Sequence, residues 1–437
     1  MATTNRIALL LLAFSLSGPG FAQSSGKTVR HHTIATQESA QSADLARAES
    51  LLEKKDLPAA EALLQKVTAA EPSNYVAWFD LGFAQNGLGK TADSIASYKK
   101  SVELKPDVFE SNLNLGLTLA KAGMPDAEKY LQAATTLKPT ARVEEGQARA
   151  FVSLGHVLEK TDPERALEAF RNAARLQPSD PEPHLSAGQL LESQNRFADA
   201  EQEYKQVLAI QPDSSDALAG IANVYMRGQR FSDAEQMLQR FVELHPQDAT
   251  AHLQLARVLV LAGKYDDGIS QLLATLKIRP NDAEAQRGLA DAYLSAGKYD
   301  AAALQYQSLL GHKPNDAELH HSLGQAFLKS SKFPEAQQEF LTAVKLKPDL
   351  GSAYGDLAIA ADKNKNYELV IKALDVRAKL LPEIPVGYFL RATAYDHLRD
   401  YKDASENYHK FLDSAGGKYP DQEWQARHRL IAIEKKK

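Results

Sequence analysis

Histidine is the side chain best suited to proton transfer and metal binding near neutral pH, and this chain carries twelve. His31 and His32 adjoin near the start with no third ligand in view. His320 and His321 form the other tight pair, and neighbours on a helix point in different directions. Acidic pairs such as Asp266 and Asp267 fall at helix starts, where carboxylates favour the helix dipole. The motifs that organise catalysis are missing: there is no HExxH, no GxSxG, no phosphate-binding loop and no GxGxxG after a strand. The lack of cysteine removes thiol nucleophiles, thiolate metal sites, disulfides and a lipid anchor on cysteine. No catalytic, cofactor or metal site is expected, which leaves binding as the chemistry to look for.

The elements that would position binding residues show up as a period. GKYD stands at 263–266 and again at 297–300, and PNDAE at 280–284 and 314–318, each pair 34 residues apart. Pro72 and Pro106 stand 34 residues apart, and Pro212, Pro246, Pro280, Pro314, Pro348 and Pro382 keep that spacing among themselves; two short units and an insertion separate the two sets. Eleven units follow: 41–74, 75–108, 109–141, 148–180, 181–214, 215–248, 249–282, 283–316, 317–350, 351–384 and 385–418, with RVEEGQ (142–147) inserted before the fourth. Each unit reads as two amphipathic helices, A and B. A residue suited to a left-handed turn, such as Gly89, divides them, and a proline closes the second. Asn or Asp after the proline caps the next helix. An aromatic at the seventeenth position (Phe197, Phe231, Tyr265, Tyr299, Phe333, Tyr367, Tyr401) suits a staple at the start of helix B.

Two columns carry the packing. The eighth position reads Ala48, Gly82, Gly116, Gly155, Gly188, Ala222, Ala256, Ala290, Gly324, Ala358 and Ala392. Glycine costs a helix up to about 1 kcal/mol relative to alanine, so a small residue kept here implies a helix lying against that backbone. The twenty-fourth position is bulky, with Leu64, Tyr98, Tyr204, Leu238, Leu272, Tyr306, Phe340, Leu374 and Tyr408. Small against large at fixed offsets describes a helix hairpin packing on itself.

These residues resemble the tetratricopeptide repeat, a 34-residue helix-turn-helix unit with small residues at positions 8 and 20, an aromatic at 24 and proline at 32. Residues 75–108 carry the pattern in Trp78, Leu81, Gly82, Tyr98 and Pro106, and residues 317–350 in Leu323, Gly324, Phe327, Ala336, Phe340 and Pro348. The resemblance spans 41–418. It implies an all-α, right-handed superhelical solenoid of about eleven repeats, because one unit cannot bury its apolar face alone. Residues 419–437 would add a C-terminal capping helix, with Trp424, Leu430 and Ile431 toward the last repeat and Lys435 to Lys437 in solvent.

The resemblance further implies that A helices line a concave groove through positions 2, 5, 9, 12 and 13. Repeats two to four would then present Phe79, Phe83, Leu113, Leu117 and Val152 as an apolar strip. Repeats six to nine would present Asn223, Arg227, Arg257, Arg287, Asp291, His321, Gln325 and Lys329, a polar surface with a basic excess. An extended partner segment with acidic character opposite repeats six to nine would suit it. His184, His252 and His320 fall at the fourth position, where Trp78 and Tyr354 stand elsewhere, and packing is their expected role. The chaperone-binding members hold a C-terminal carboxylate with Lys and Asn. Here Ala219 stands in place of that Lys before Asn223, so that specificity is not carried over.

Composition and termini set the context. A formal charge of −5 and pI near 6.2 argue against nucleic acid or an anionic membrane surface as partner. Residues 1–22 have the build of a signal peptide: Arg6, the apolar run 7–14, then Gly20 and Ala22 at −3 and −1 of a cleavage site. Eight apolar residues are too few to span a bilayer, which takes about 20. The expectation is an exported, periplasmic or extracellular protein of bacterial origin, with a disordered leader over 23–40 and no transmembrane span after cleavage. Its expected function is a non-enzymatic scaffold for a protein or peptide partner. The alternatives are an accessory subunit of a cell-envelope assembly or polysaccharide-export machine and, more remotely, a cryptic hydrolase or metal-binding protein.

Overall fold

Proline and a short polar side chain punctuate the chain. Pro72, Pro246, Pro280 and Pro314 each follow a helix end, and two residues later an Asn or Asp caps the next helix. Asn74 accepts from Ala77 N at 3.2 Å, Asp248 from Thr250 N at 2.8 Å, and Asp282 from Ala285 N at 3.0 Å. Between the helices of a pair, position 15 takes a left-handed backbone. Gly89, Gly123, Gly263 and Gly297 supply it, and Lys55, Asn195, Gln229, Ser331, Lys365 and Arg399 adopt it despite carrying a Cβ, with φ between 56° and 65°.

The computed structural model describes residues 43–434. The expected signal peptide (1–22), leader (23–40) and final lysines lie outside the described residues. Two compact units divide the chain, one ending at Val224 and the other beginning at Tyr225. In the first, α1 (Ala43–Glu53), α2 (Leu57–Ala70), α3 (Tyr75–Gly87), α4 (Thr91–Leu104), α5 (Phe109–Lys121) and α6 (Ala127–Thr136) pair in sequence. There follow α7 (Val143–Leu158), α8 (Pro163–Leu176), α9 (Glu182–Ser193) and α10 (Phe197–Ile210), then α11 (Ser215–Arg227), which runs into the second unit. That unit continues with α12 (Phe231–Leu244), α13 (Ala249–Leu261), α14 (Tyr265–Ile278), α15 (Ala283–Ser295), α16 (Tyr299–His312) and α17 (Ala317–Lys329). It closes with α18 (Phe333–Leu346), α19 (Gly351–Lys363), α20 (Tyr367–Leu380), α21 (Pro385–His397), α22 (Tyr401–Ala415) and α23 (Pro420–Glu434). All twenty-three elements are helices, and no strand occurs among the described residues. The fold is the stack of helix-turn-helix repeats with a final helix that the sequence implies.

Column 24 lies on column 8. A Cβ added at Gly82 would stand 2.7 Å from the Tyr98 ring, and one at Gly324 would stand 2.6 Å from the Phe340 ring. Gly155 meets Phe170 and Gly188 meets Tyr204 in the same way. Tyr98, Tyr204, Tyr306, Phe170 and Phe340 are all fully buried, and burying each ring contributes roughly 1.5–3 kcal/mol. The seventeenth-position aromatics are the first residues of their B helices and are half-buried; Tyr367 stacks on His397 of the following repeat with centroids 4.3 Å apart. The insertion 142–147 is not a loop. Arg142 turns left-handed at φ 46°, and the acidic residues after it open α7 as extra helical turn.

Enlarging column 8 overpacks this contact. Gly324→Leu is expected to cost roughly 1–3 kcal/mol in urea unfolding. Gly311, in α16 with nothing within 4 Å of an added Cβ, is the control: Gly311→Ala should be neutral or stabilising by up to about 1 kcal/mol. Equal effects at the two sites would contradict the packing described.

Candidate binding surface

The sequence assigns groove-facing roles to two sets of residues, and the structure treats them differently. Phe79 and Leu113 are fully buried, and Leu117 and Val152 nearly so. Phe79 lies 5.7 Å from the Tyr98 ring, in a core with Ile95, Leu115 and Leu119. Phe83 is half-buried against that core and the one before it. The expected apolar strip is thus corrected: these side chains are consumed by packing and offer a partner little surface. Burial of apolar area is the dominant favourable term in folding, and large side chains in contact with neighbouring helices remain there.

Most of the second set is engaged in polar contacts within the chain, some within a repeat and some between consecutive repeats. In the first unit, Asn223 donates to Glu192 Oε1 while the Tyr204 hydroxyl donates to Glu192 Oε2 at 2.8 Å. In the second unit, Asp356 on α19 accepts from His321 Nε2 and Gln325 Nε2 of α17, both at 2.8 Å. Arg257 on α13 pairs with Glu284 on α15, and Arg287 Nε lies 3.8 Å from Asp291 Oδ2. Asp291 Oδ1 in turn accepts from the Tyr306 hydroxyl at 2.5 Å. Burial pushes the Arg257 guanidinium down, against the pull of Asp282. Desolvation by the surrounding helices pushes the Asp291 carboxyl up, opposed by the Tyr306 hydroxyl and by Arg287. About half of that side chain is open to water, so screening keeps the effect small. The basic excess is therefore largely neutralised within the chain: Arg257 and Arg287 meet a partner's carboxylates only by exchanging their own. Arg227 and Lys329 are exposed.

The fourth-position histidines are clasps. The side-chain N–H of Trp78 donates to the Pro72 carbonyl at 3.0 Å, Asn112 to Pro106 at 2.8 Å, and Gln286 to Pro280 at 3.0 Å. His252 and His320 do the same through Nε2, toward Pro246 at 3.2 Å and Pro314 at 3.0 Å. Their Nδ1 atoms face Gln271 and Glu339 on the B helix, and His184 Nδ1 faces Glu203. Among the described residues no three His, Asp or Glu side chains gather as a metal site.

Sequence reasoning missed a cleft of about 620 Å³ where α21 meets α23. Phe389, Thr393, Asp396 and His397 supply one wall, at positions 5, 9, 12 and 13 of the last repeat. Arg429 grips Asp396 with two N–H groups, Nη2 to Oδ1 at 2.8 Å, and fixes the other wall. Trp424 stands there 60% exposed, its ring 3.9 Å from that of His428. The expected seating of the final helix is half right. Leu430 is buried, but Trp424 and Ile431 face outward, because α23 docks through Glu423, Ala426, Leu430 and Ile433, the 3-4 spaced stripe that fits one helix face. Applying the groove positions to the eleventh repeat would have found the first wall; nothing local marks the second.

Models of the tetratricopeptide repeat match residues 45–108, 156–215, 253–317 and 321–379, and a further one matches 191–257. The chain belongs to the tetratricopeptide repeat family. It is 34% identical over 113 residues to a protein described as the CTR9 homolog of Arabidopsis thaliana, a stretch covering 25% of this chain and 10% of that protein. Among solved structures, YrrB, described as a repeat protein with an unusual peptide-binding site, aligns at 22% identity over 43% of this chain and 96% of its own, with a TM-score of 0.39. The Cut9–Hcn1 hetero-tetramer of the anaphase-promoting complex aligns at 15% identity, over 90% of this chain and 97% of that one, with a TM-score of 0.39. The C-terminal part of a repeat protein from Cytophaga hutchinsonii gives 15% identity, 55% and 98% coverage, and a TM-score of 0.46.

Removing the shared acceptor tests the cross-repeat contacts. Asp356→Ala leaves two half-buried donors without their carboxylate, and the expected loss is about 1–3 kcal/mol by urea unfolding. Unchanged stability would mean that water replaces Asp356 at no cost.

Proposed function

We propose that this repeat protein is a non-enzymatic scaffold that holds an extended segment of a partner protein on its A-helix face. The observation that carries the reading is the exposed Trp424 at the mouth of the α21–α23 cleft. A large aromatic left in water beside a concave, partly apolar surface is the kind of anchor that dominates protein interfaces. The polar contacts along α13, α15, α17 and α19 complement it. They already arrange donors and acceptors at fixed intervals, and a peptide backbone can exchange with them. Family membership supports protein binding in general, and the finer assignment to this face is ours.

The location is part of the proposal. Residues 1–22 are read as a signal peptide, so the scaffold acts outside the cytoplasm, in the periplasm or beyond it. A second reading, a subunit of a cell-envelope assembly or polysaccharide-export machine, is compatible with the same apolar run 7–14. Among the described residues no helix is long and apolar enough to cross a membrane.

Two measurements check this. Partner protein retained from a native envelope extract by the unaltered chain should be lost on Trp424→Ala and weakened by Arg257→Glu with Arg287→Glu, with the added salt dependence of a charged contact. Leu304→Ser, on the exposed side of α16, should retain it; equal recovery by all variants would place the partner elsewhere. Sequencing the N-terminus of the native protein should begin near Gln23, and a start at Met1 or Ala2 would defeat the export reading.

A further inference from the structure

The B helices of the second unit carry an outer stripe at positions 22, 25, 26 and 29, and most of it is polar. From repeat six onward, position 22 reads Gln236, Ser270, Leu304, Gln338, Lys372 and Glu406. Position 29 reads Glu243, Lys277, Gly311, Lys345, Lys379 and Asp413. The helix α16 breaks both columns at once. It sets a large apolar residue, Leu304, in the first, and an uncharged one, Gly311, in the second. Leu304 is 65% exposed, and Gly311 is exposed beside it.

Neither departure serves the fold. α16 meets its own core through Ala302, Ala303 and Tyr306, whereas a Cβ added at Gly311 would have nothing within 4 Å. An exposed leucine leaves apolar area in water, and an exposed glycine weakens a helix that alanine would strengthen. The flanking helices extend the patch. Leu273 on α14 and Leu341 on α18 are 47% and 40% exposed at position 25, where α12 carries Gln239 and α20 carries Asp375. Charge returns at the rim. Positions 19 and 29 hold the exposed pairs Asp267 and Lys277 on α14, and Glu335 and Lys345 on α18, against Ala301 and Gly311 on α16. An apolar centre inside a charged rim is the anatomy of a protein interface.

The spacing and the charges define the occupant. Leu304, Ser308 and Gly311 share one stripe of α16, at i, i+4 and i+7. Suppose a second α16 runs antiparallel across this stripe, centred between Gln307 and Ser308. Each Leu304 then falls over Gly311 of the other copy, a projecting side chain against bare backbone. The same two-fold operation sets α14 on α14 and α18 on α18, so that Leu273 faces Ala274 and Leu341 faces Thr342 of the second copy. Lys277 comes within about one turn of Asp267 of the second copy, and Lys345 within about one turn of its Glu335. A parallel pairing would set α14 on α18 instead, with lysine near lysine and acid near acid. Self-complementarity in shape and charge about a two-fold axis is what an isologous dimer requires.

We propose that the chain forms a two-fold dimer through the outer faces of α14, α16 and α18, with Leu304 of each copy seated on Gly311 of the other. The dimer uses B helices and leaves the A-helix face to a partner. It is tested on the purified chain alone, so it stands or falls separately from the partner reading. Two A-helix faces held in one particle would also engage a repeated partner with higher avidity and no new contact.

Sedimentation equilibrium of the purified native chain, up to about 100 μM, should show a mass that rises with concentration to twice that of one chain. Leu304→Gln and Gly311→Lys give α16 the residues that α18 carries at the same positions, Gln338 and Lys345, so the helix is kept. Each should weaken the dimer at least about tenfold. Glu335→Lys should weaken it too, and adding Lys345→Glu in the same chain should restore it, because each copy then offers the reversed pair. The native chain has no cysteine, so thiols can be placed at will. Leu304→Cys mixed with Gly311→Cys should give an oxidised dimer that neither variant gives alone. In the antiparallel pairing like positions stand about 10.5 Å apart along the axis, and a disulfide needs Cα atoms within about 7 Å. A monomer at every concentration, which would leave the patch to a different protein or to none, overturns the proposal. So do a dimer unmoved by Leu304→Gln and Gly311→Lys, and self-linking by Leu304→Cys alone.

Discussion

The contact between a bulky residue on each B helix and the bare backbone of its A helix is the constraint from which the rest follows. Where Tyr98, Phe170, Tyr204 or Phe340 lies on Gly82, Gly155, Gly188 or Gly324, the two helix axes approach closely and no Cβ fits between them. The eighth position carries alanine in the other repeats, beside Leu238, Leu272 and Leu374 (Ala222, Ala256 and Ala358) and also beside Tyr306 and Tyr408 (Ala290 and Ala392), so one methyl is the most that this contact is seen to admit. Fixing the hairpin in this way turns each repeat into a unit of constant shape, and a stack then needs only a repeated joint. Fourth-position donors reaching back to the proline carbonyl of the preceding repeat supply one such joint. A second is the ladder of cations at position 16: Lys90 to Glu61 and Lys264 to Glu235 at 2.7–2.8 Å, Lys298 to Asp266 at 2.6 Å. These pairs are exposed on the cation side and contribute little stability individually; their regular placement helps to hold one repeat in register with the next.

Function is confined to what this packing leaves over. Positions used in the hairpin and the joints are unavailable, and the proposed reading assigns binding to the remaining A-helix face and to the end of the stack. On that face, carboxylates such as Glu192, Asp291, Asp356 and Asp396 each collect donors from another helix or repeat. Such nodes hold a charged surface rigid before any partner arrives, which lowers the ordering cost of binding.

The fold was legible because packing repeats itself in sequence. Eleven small residues at the eighth position and bulky ones sixteen further on leave a periodic trace that survives the drift of every other column. Prolines and Asx caps add the ends of the helices. The groove was less legible, and for a physical reason. Whether Phe79 faces a partner or a core depends on what covers it, and that is decided by the packing of its own repeat against the next, through Ile95, Tyr98, Leu115 and Leu119. Arg257 read as part of a free basic surface, whereas its neutralising partner Glu284 is identified only once α13 and α15 are set side by side; Asp291, by contrast, stands four residues from Arg287 on the same helix, a spacing the sequence already shows. Trp424 was read as a core residue, since apolar character alone does not tell which face of a terminal helix docks. In RVEEGQ, the acidic residues that open an extra turn of α7 look the same as those of a solvated loop.

A double-mutant cycle between the eighth and twenty-fourth columns tests the central contact most directly. Gly324→Ala, Phe340→Ala and the combination would be compared by urea unfolding, with helix content checked in each. If the Phe340 ring lies on the Gly324 backbone, the added methyl should be costly beside the ring and harmless once the ring is gone. The two changes should then be coupled by about 0.5–3 kcal/mol. Additivity to within about 0.3–0.5 kcal/mol, the behaviour of residues that do not touch, would contradict this account of how the repeats are built.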